Sequence, residues 1–290
     1  MRDDQDQSGE KEGGRENAFF LAVILAVTLI AYAPLISGVW ELSSQTTQAM
    51  NAFVLLGVAF VDSLLCVLKT RRFHLAINAH GLLLFGLSCM ALAVASLTSV
   101  WPFAVLGLCL NVGALLSFCF GRQGVAVFYP ALAGFGVFVA MLVMVPGLDN
   151  VLRLLAGTVS AWLLPLLGIR ADLVLQQDPF QVILVAEKGA GVFNVATECN
   201  GFGILISSVV LTLIMTLRRR FHWYNVILLS CLAALIGLVF NTLRIVAIAM
   251  STLQTNFRYG LIHEGLGTLI YMLALGAIYV VNSLAAHRRP

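Results

Sequence analysis

Long apolar stretches alternate along the chain with short polar ones. A helix needs roughly 20 mostly apolar residues to cross the hydrocarbon core of a bilayer. Eight segments approach or exceed that length: 19–39, 50–68, 75–95, 101–120, 125–145, 202–217, 223–249 and 262–285. They are continuously apolar rather than alternating, which argues for membrane-spanning helices and against a β-barrel. A ninth apolar stretch, 151–169, is broken up by Arg153, Gly157 and Pro165.

Basic residues in short loops mark the cytoplasmic side of a membrane protein. One set of alternate loops carries Lys69, Arg71 and Arg72, then Arg122, then Arg218, Arg219 and Arg220, then Arg288 and Arg289. With Arg2, Lys11 and Arg15 of the N-terminal tail, these are twelve of the seventeen basic residues. The other set holds only Arg153, Arg170, Lys188 and Arg258, while Arg244 falls near a membrane boundary. The pattern predicts about eight crossings with both termini inside. If 151–169 also crossed, Arg218 to Arg220 and the C-terminal arginines would move outside. It is therefore expected to be an interfacial or re-entrant helix on the outer surface, opening an outer segment over 146–200.

Composition agrees. Hydrophobic residues make up 60% of the chain and charged residues 11%, against about 45–50% and about 25% in soluble domains. There are too few charges to coat a water-soluble surface, so a soluble domain, a disordered chain and a disulfide-stapled secreted module are excluded. The first seventeen residues are acidic and polar, and are predicted to form a disordered cytoplasmic tail. Residues 18–290 are expected to form one transmembrane domain, with no cleavable signal peptide.

Within the outer segment the pattern changes. Residues 180–186 read FQVILVA and 192–197 read VFNVAT, separated by the glycine-containing EKGAG. Two short β-branched runs around such a turn predict a β-hairpin. Its second strand leads into Glu198, Cys199, Asn200 and Gly201, then into the sixth span. Of the six cysteines, Cys66, Cys89, Cys109, Cys119 and Cys231 fall inside spans, where small apolar packing explains them. Cys199 alone lies at the outer face, at the mouth of a helix whose N-terminus favours a thiolate.

Two further polar residues stand out. Arg244 lies twenty-one residues after Trp223, about 31 Å along a helix, so at or just below the outer boundary. A snorkelling arginine should end an apolar run, yet IVAIAM follows, and Asn241 three residues earlier shares its face. Intramembrane charges usually face the protein interior and serve function. His263 opens the eighth span in the sequence HEGLG. The topology, set by other residues, puts Cys199, Arg244 and His263 at one depth on one face. A thiol and an imidazole make a nucleophile and base, and a guanidinium can stabilise an oxyanion. The set suits acyl transfer or peptide cleavage through a thioester. A Cys/His metal site lacks ligands, and no metal or other cofactor is expected. His80 and Asp62, inside the third and second spans, suit polar contacts between helices. Other classes are a transporter lined by Asp62, His80 and Arg244, or a scaffold subunit of a polysaccharide-export system. Duplicated halves with broken helices, frequent in transporters, are not apparent in the sequence.

Three blocks in this order resemble the exosortase/archaeosortase family of membrane transpeptidases: Cys199-Asn200-Gly201 after a hairpin, Asn241-Thr242-Leu243-Arg244-Ile245, and His263 with Gly267 four residues on. The resemblance is strongest over 172–271. It implies a cysteine peptidase in which Cys199 attacks a carbonyl in the C-terminal sorting tail of an exported protein. In bacterial members that tail has a short Pro-Glu-Pro-like motif (PEP-CTERM), a transmembrane helix and a basic end. It further implies His263 as general acid and base, Arg244 as oxyanion or substrate-orienting cation, and passage of the acyl group to an acceptor amine or water. The expected partners are such tailed proteins, the lipid bilayer and the acceptor nucleophile, with no nucleic acid. The expected location is the cytoplasmic (inner) membrane, with the site on the outer, periplasmic face. The family commonly shows Ala-Cys-Ser-Gly, whereas Glu198 and Asn200 flank the cysteine here. An adjacent carboxylate opposes thiolate formation, which leaves Glu198 to point away or to meet a substrate cation. Glu198, Asn200, Gly201, Asn241 and Glu264 are read as substrate-binding or supporting residues.

Overall fold

In the computed structural model, the backbone is described for residues 3–44, 47–70, 75–177, 180–186, 191–194, 201–254 and 259–287. Side chains are described over 19–41, 50–69, 75–144, 147–175, 201–251 and 264–287. The elements in order are α1 (Asp3–Ser44), α2 (Thr47–Thr70), α3 (Ala79–Thr98), α4 (Trp101–Leu166), β1 (Ala171–Gln177), β2 (Phe180–Ala186), β3 (Gly191–Asn194), α5 (Phe202–Arg218), α6 (Trp223–Gln254) and α7 (Tyr259–His287). Only helices satisfy every backbone polar group within a single segment crossing hydrocarbon. Among the described residues, six helical stretches are long and apolar enough to do so: Phe19–Glu41, Met50–Lys69, Ala79–Thr98, Trp101–Met144, Trp223–Ser251 and Glu264–His287. The chain is a multi-pass helical membrane protein. α5 is apolar but shorter, at 17 residues.

The chain divides into two compact units. One comprises Met1–Leu42 and Leu56–Ala140, the other Ser43–Leu55 and Met141–Pro290.

In the first unit, α4 contains the chain reversal that the sequence places between two spans. Gly121 leaves the helical region with φ 69° and ψ −178°, a positive φ that glycine adopts without steric penalty. The two arms then fold back on each other. Cys109 Sγ lies 3.8 Å from the Leu132 carbonyl oxygen, and Val112 and Leu116 join Phe128 and Leu132 in one apolar cluster. Polar pairs tie the helices together. Thr28 Oγ1 donates to Asn111 Oδ1 at 2.7 Å, and Tyr32 Oη and Ser88 Oγ are 2.9 Å apart. His80 Nδ1 lies 3.2 Å from Ser117 Oγ, which donates to Asn78 Oδ1 at 2.9 Å. Asn78 also caps α3, accepting from the Gly81 amide. His80 is therefore part of an interhelical polar contact.

α1 begins at Asp3. Two expectations need correction. The stretch 151–169 is not a separate outer helix, because the helix is unbroken from 122 to 166, through Pro146 and Gly147. Such residues are tolerated in membrane helices where neighbours re-satisfy the backbone. The sheet has three strands instead of two, in the order β1-β2-β3. β1 pairs antiparallel with β2 from Ala171 opposite Ala186 to Gln177 opposite Phe180, and β2 with β3 from Ile183 opposite Asn194 to Ala186 opposite Gly191. β3 ends at Asn194; residues 195–197, also expected in that strand, lie outside the described residues.

In the second unit, Ala156 and Leu164 near the end of α4 pack with Ile245, Val246 and Ala249 of α6, alongside Ala171 and Leu173 of β1. The apolar run beyond Arg244 is thus covered by protein, which explains why the charge stands several residues short of the end of that run.

Candidate active site

The site is built where α5 starts, where α6 nears its C-terminal end and where α7 begins. Gly201 is the N-cap of α5, with φ 80° and ψ 3° and no side-chain cap. Two requirements converge on it. The left-handed conformation disfavours any residue with a Cβ. A methyl group there would also lie 2.5 Å from Asn241 Cγ and 2.6 Å from Asn241 Nδ2. Asn241, 1% exposed, therefore presses against the bare backbone at the mouth of α5.

One turn further along the same face of α6, Arg244 is 4% exposed. Its guanidinium lies against α7 at Gly267, where an added methyl would come 2.9 Å from Nε and 3.1 Å from Nη2. Gly267 occupies the next turn of α7 after His263. The α6 face that reaches α5 through Asn241 thus reaches α7 through Arg244. A permanent cation is held at a fixed place in a low-dielectric setting, where electrostatic stabilisation of a developing anion is strongest.

Below this level the three helices are tightly joined. Gly237 lets α6 approach α5 so closely that a methyl would meet Ser208 Oγ at 3.0 Å and Leu205 Cα at 3.4 Å. Ile204, Tyr271 and Ala274 form a buried cluster with Phe240 and Leu275. Tyr271 Oη donates to Ser207 Oγ at 2.9 Å, and Asn282 Nδ2 donates to Thr212 Oγ1 at 3.0 Å. Such polar contacts hold helices together in lipid, where burial of apolar surface provides little drive.

Of the residues singled out from the sequence, Gly201, Asn241 and Arg244 come together with Gly267. Glu264 is exposed on α7. Glu198, Cys199 and Asn200 lie outside the described residues; His263 falls within the α7 backbone, its side chain outside the description. Sequence reasoning missed the bearing of Gly267 on Arg244, and it missed Ser207 and Tyr271 altogether. The glycine could have been found from its place one turn after a histidine at a helix start. A serine and a tyrosine inside apolar spans carry no comparable signal.

The sequence model of the transmembrane exosortase family matches residues 40–280, most of the chain. No curated protein and no solved structure matches it. With the match spanning the sheet, α5, α6 and the Arg244–Gly267 contact alike, the chain belongs to the transmembrane exosortase family.

Proposed function

We propose that this protein is a membrane-embedded cysteine peptidase and transpeptidase that cleaves the C-terminal sorting tail of exported proteins. The observation that supports it best is the fixed placement of Arg244, buried against Gly267 on α7 while its neighbour Asn241 presses on Gly201 at the start of α5. Cys199 stands two residues before Gly201, and His263 one turn before Gly267. The Cys199 thiol passes its proton to His263 and attacks the peptide carbonyl. Arg244 stabilises the resulting oxyanion. Collapse to the thioester expels the tail amine, which takes the proton back from His263. An acceptor amine or water then attacks the thioester and regenerates the thiol.

The 44-residue stretch Trp101–Met144 reads as two crossings and α5 as one. That gives eight crossings, with both termini inside and the site at the outer face of the cytoplasmic membrane. β3, the end strand of the sheet, runs toward Cys199 and offers an edge for an extended substrate to add as a further strand. Full cleavage after deletion of 180–197 would refute that role. The central test is Cys199→Ala. The variant is expected in the membrane at normal abundance, with tail-bearing exported proteins left unprocessed. Normal processing would remove the thioester mechanism.

A further inference from the structure

We propose that the turn joining α5 to α6 binds the phosphate of an anionic phospholipid headgroup. Arg218 and Arg220 are its cations, and Trp223 and Tyr224 are its anchors in the bilayer surface. The turn lies at the end of α5 opposite Gly201, and its role does not depend on the peptidase reading.

Three helix ends meet here. One membrane-crossing stretch begins at Trp223 in α6 and another ends at His287 in α7. Arg219 ties the end of α5 to the last turns of α7: its Nη1 donates to the Asn282 carbonyl oxygen at 3.0 Å, and its Nη2 lies 3.5 Å from Ser283 Oγ. A bilayer surface therefore lies at this level. Trp223 is 74% exposed and Tyr224 54%, and such rings at the end of an apolar helix sit among the headgroups. The His222 ring stacks on Tyr224, with centres 5.6 Å apart and planes 9° from parallel.

The backbone of the turn explains how the charge is presented. The Phe221 amide donates to the Thr216 carbonyl at 3.0 Å and the Arg220 amide to the Leu217 carbonyl at 3.1 Å. These are the paired bonds of a Schellman cap, whose left-handed residue is usually glycine. Here that residue is Arg220, with φ 52°. Arginine there is worse for the backbone than glycine; what it adds is a cation at the headgroup level. Arg219 is engaged on α7, and Arg218 and Arg220 stand exposed on either side of it in sequence. No acidic residue occurs between Glu198 and Glu264 or after Glu264, and Glu264 is at the opposite end of α7. No carboxylate of these helices therefore competes for the arginines. Phosphate matches the guanidinium fork, and lipid phosphates are the anions that occupy this level.

The test uses full-length protein in a neutral detergent, titrated with phosphatidylglycerol or phosphatidylcholine. Native mass spectrometry reads bound lipid, and thermal melts read stability. Phosphatidylglycerol is expected to bind and to raise the melting temperature, and phosphatidylcholine to do neither. Arg218→Gln and Arg220→Gln should each weaken phosphatidylglycerol binding about fivefold, the loss of roughly one basic residue at a membrane surface. Lys69→Gln, which removes an exposed charge of the same sign from α2, should leave binding unchanged. Arg220→Gly separates fold from binding: without lipid its melting temperature should rise by about 2 °C as the strain is relieved, while phosphatidylglycerol binding falls as in Arg220→Gln. An equal loss in Lys69→Gln, or full binding in both Arg218→Gln and Arg220→Gln, overturns the site. A lower melting temperature in Arg220→Gly shows that the arginine serves the fold and overturns it likewise. Stabilisation by inorganic phosphate equal to that by phosphatidylglycerol overturns the lipid assignment.

Discussion

The guanidinium of Arg244 rests on Gly267, where a single added methyl would come within 2.9 Å of Nε. Gly267→Ala is therefore expected to displace the cation without opening a cavity. Loss of one oxyanion-stabilising donor typically costs about 10²–10³ in turnover, and processing of tail-bearing proteins should fall by about that factor at normal protein abundance. Unaltered processing in Gly267→Ala would separate Arg244 from the chemistry.

Arg244→Lys should behave almost as badly. A lysine keeps the charge but loses the planar fork, and the two are not interchangeable where geometry is fixed. Processing is expected to fall about 100-fold or more, measured as the ratio of cleaved to uncleaved exported protein.

Gly201→Ala carries two penalties that can be separated. The left-handed conformation costs an L-residue about 1–2 kcal/mol, and contact with Asn241 adds to it. The variant should melt earlier in detergent than the native protein. Gly201→Ala with Asn241→Ala should recover part of that loss and no more, because removing the asparagine relieves the contact and not the backbone strain. Full recovery would show that φ at Gly201 does not matter.

Leu164 is 1% exposed at the end of α4, packed over the C-terminal part of α6. Leu164→Ala should destabilise by about 2–5 kcal/mol, as for other large-to-small changes in cores. It should also reduce processing, since water gains access toward Arg244. A thermal melt together with the cleavage ratio checks both effects.

His80 supplies a control in the other unit. Its ring meets Ser117 beside the Asn78 cap of α3. His80→Ala is expected to lower stability by about 1 kcal/mol and leave processing unchanged. Loss of processing with intact stability would instead favour a functional path through the first unit.

That the chain is a multi-pass helical membrane protein was legible in the sequence because membrane insertion is a local property. A run of about 20 apolar residues declares a crossing by itself, and arginines in alternate loops declare its direction. Arg244 was conspicuous for the same reason, as a charge inside an apolar run. The hidden parts were those that depend on neighbours. Pro146 and Gly147 look like a break, yet the helix passes through them. β1 was missed because Ala171 and Leu173 alternate only weakly with Asp172 and Val174, and their packing on the end of α4 and on α6 is invisible in one dimension.

The sequence alone therefore determined that this chain lives in a membrane, and it singled out the three side chains proposed to carry its chemistry. The tertiary structure decided what holds Arg244, through the close approach of Gly267 and the pressure of Asn241 on Gly201, and how α5 meets α7 at Tyr271 and Ser207. The division has a physical cause. Partition into lipid sums over adjacent residues, whereas contacts between helices join residues such as Ser207 and Tyr271, 64 positions apart, about which neither local pattern carries information.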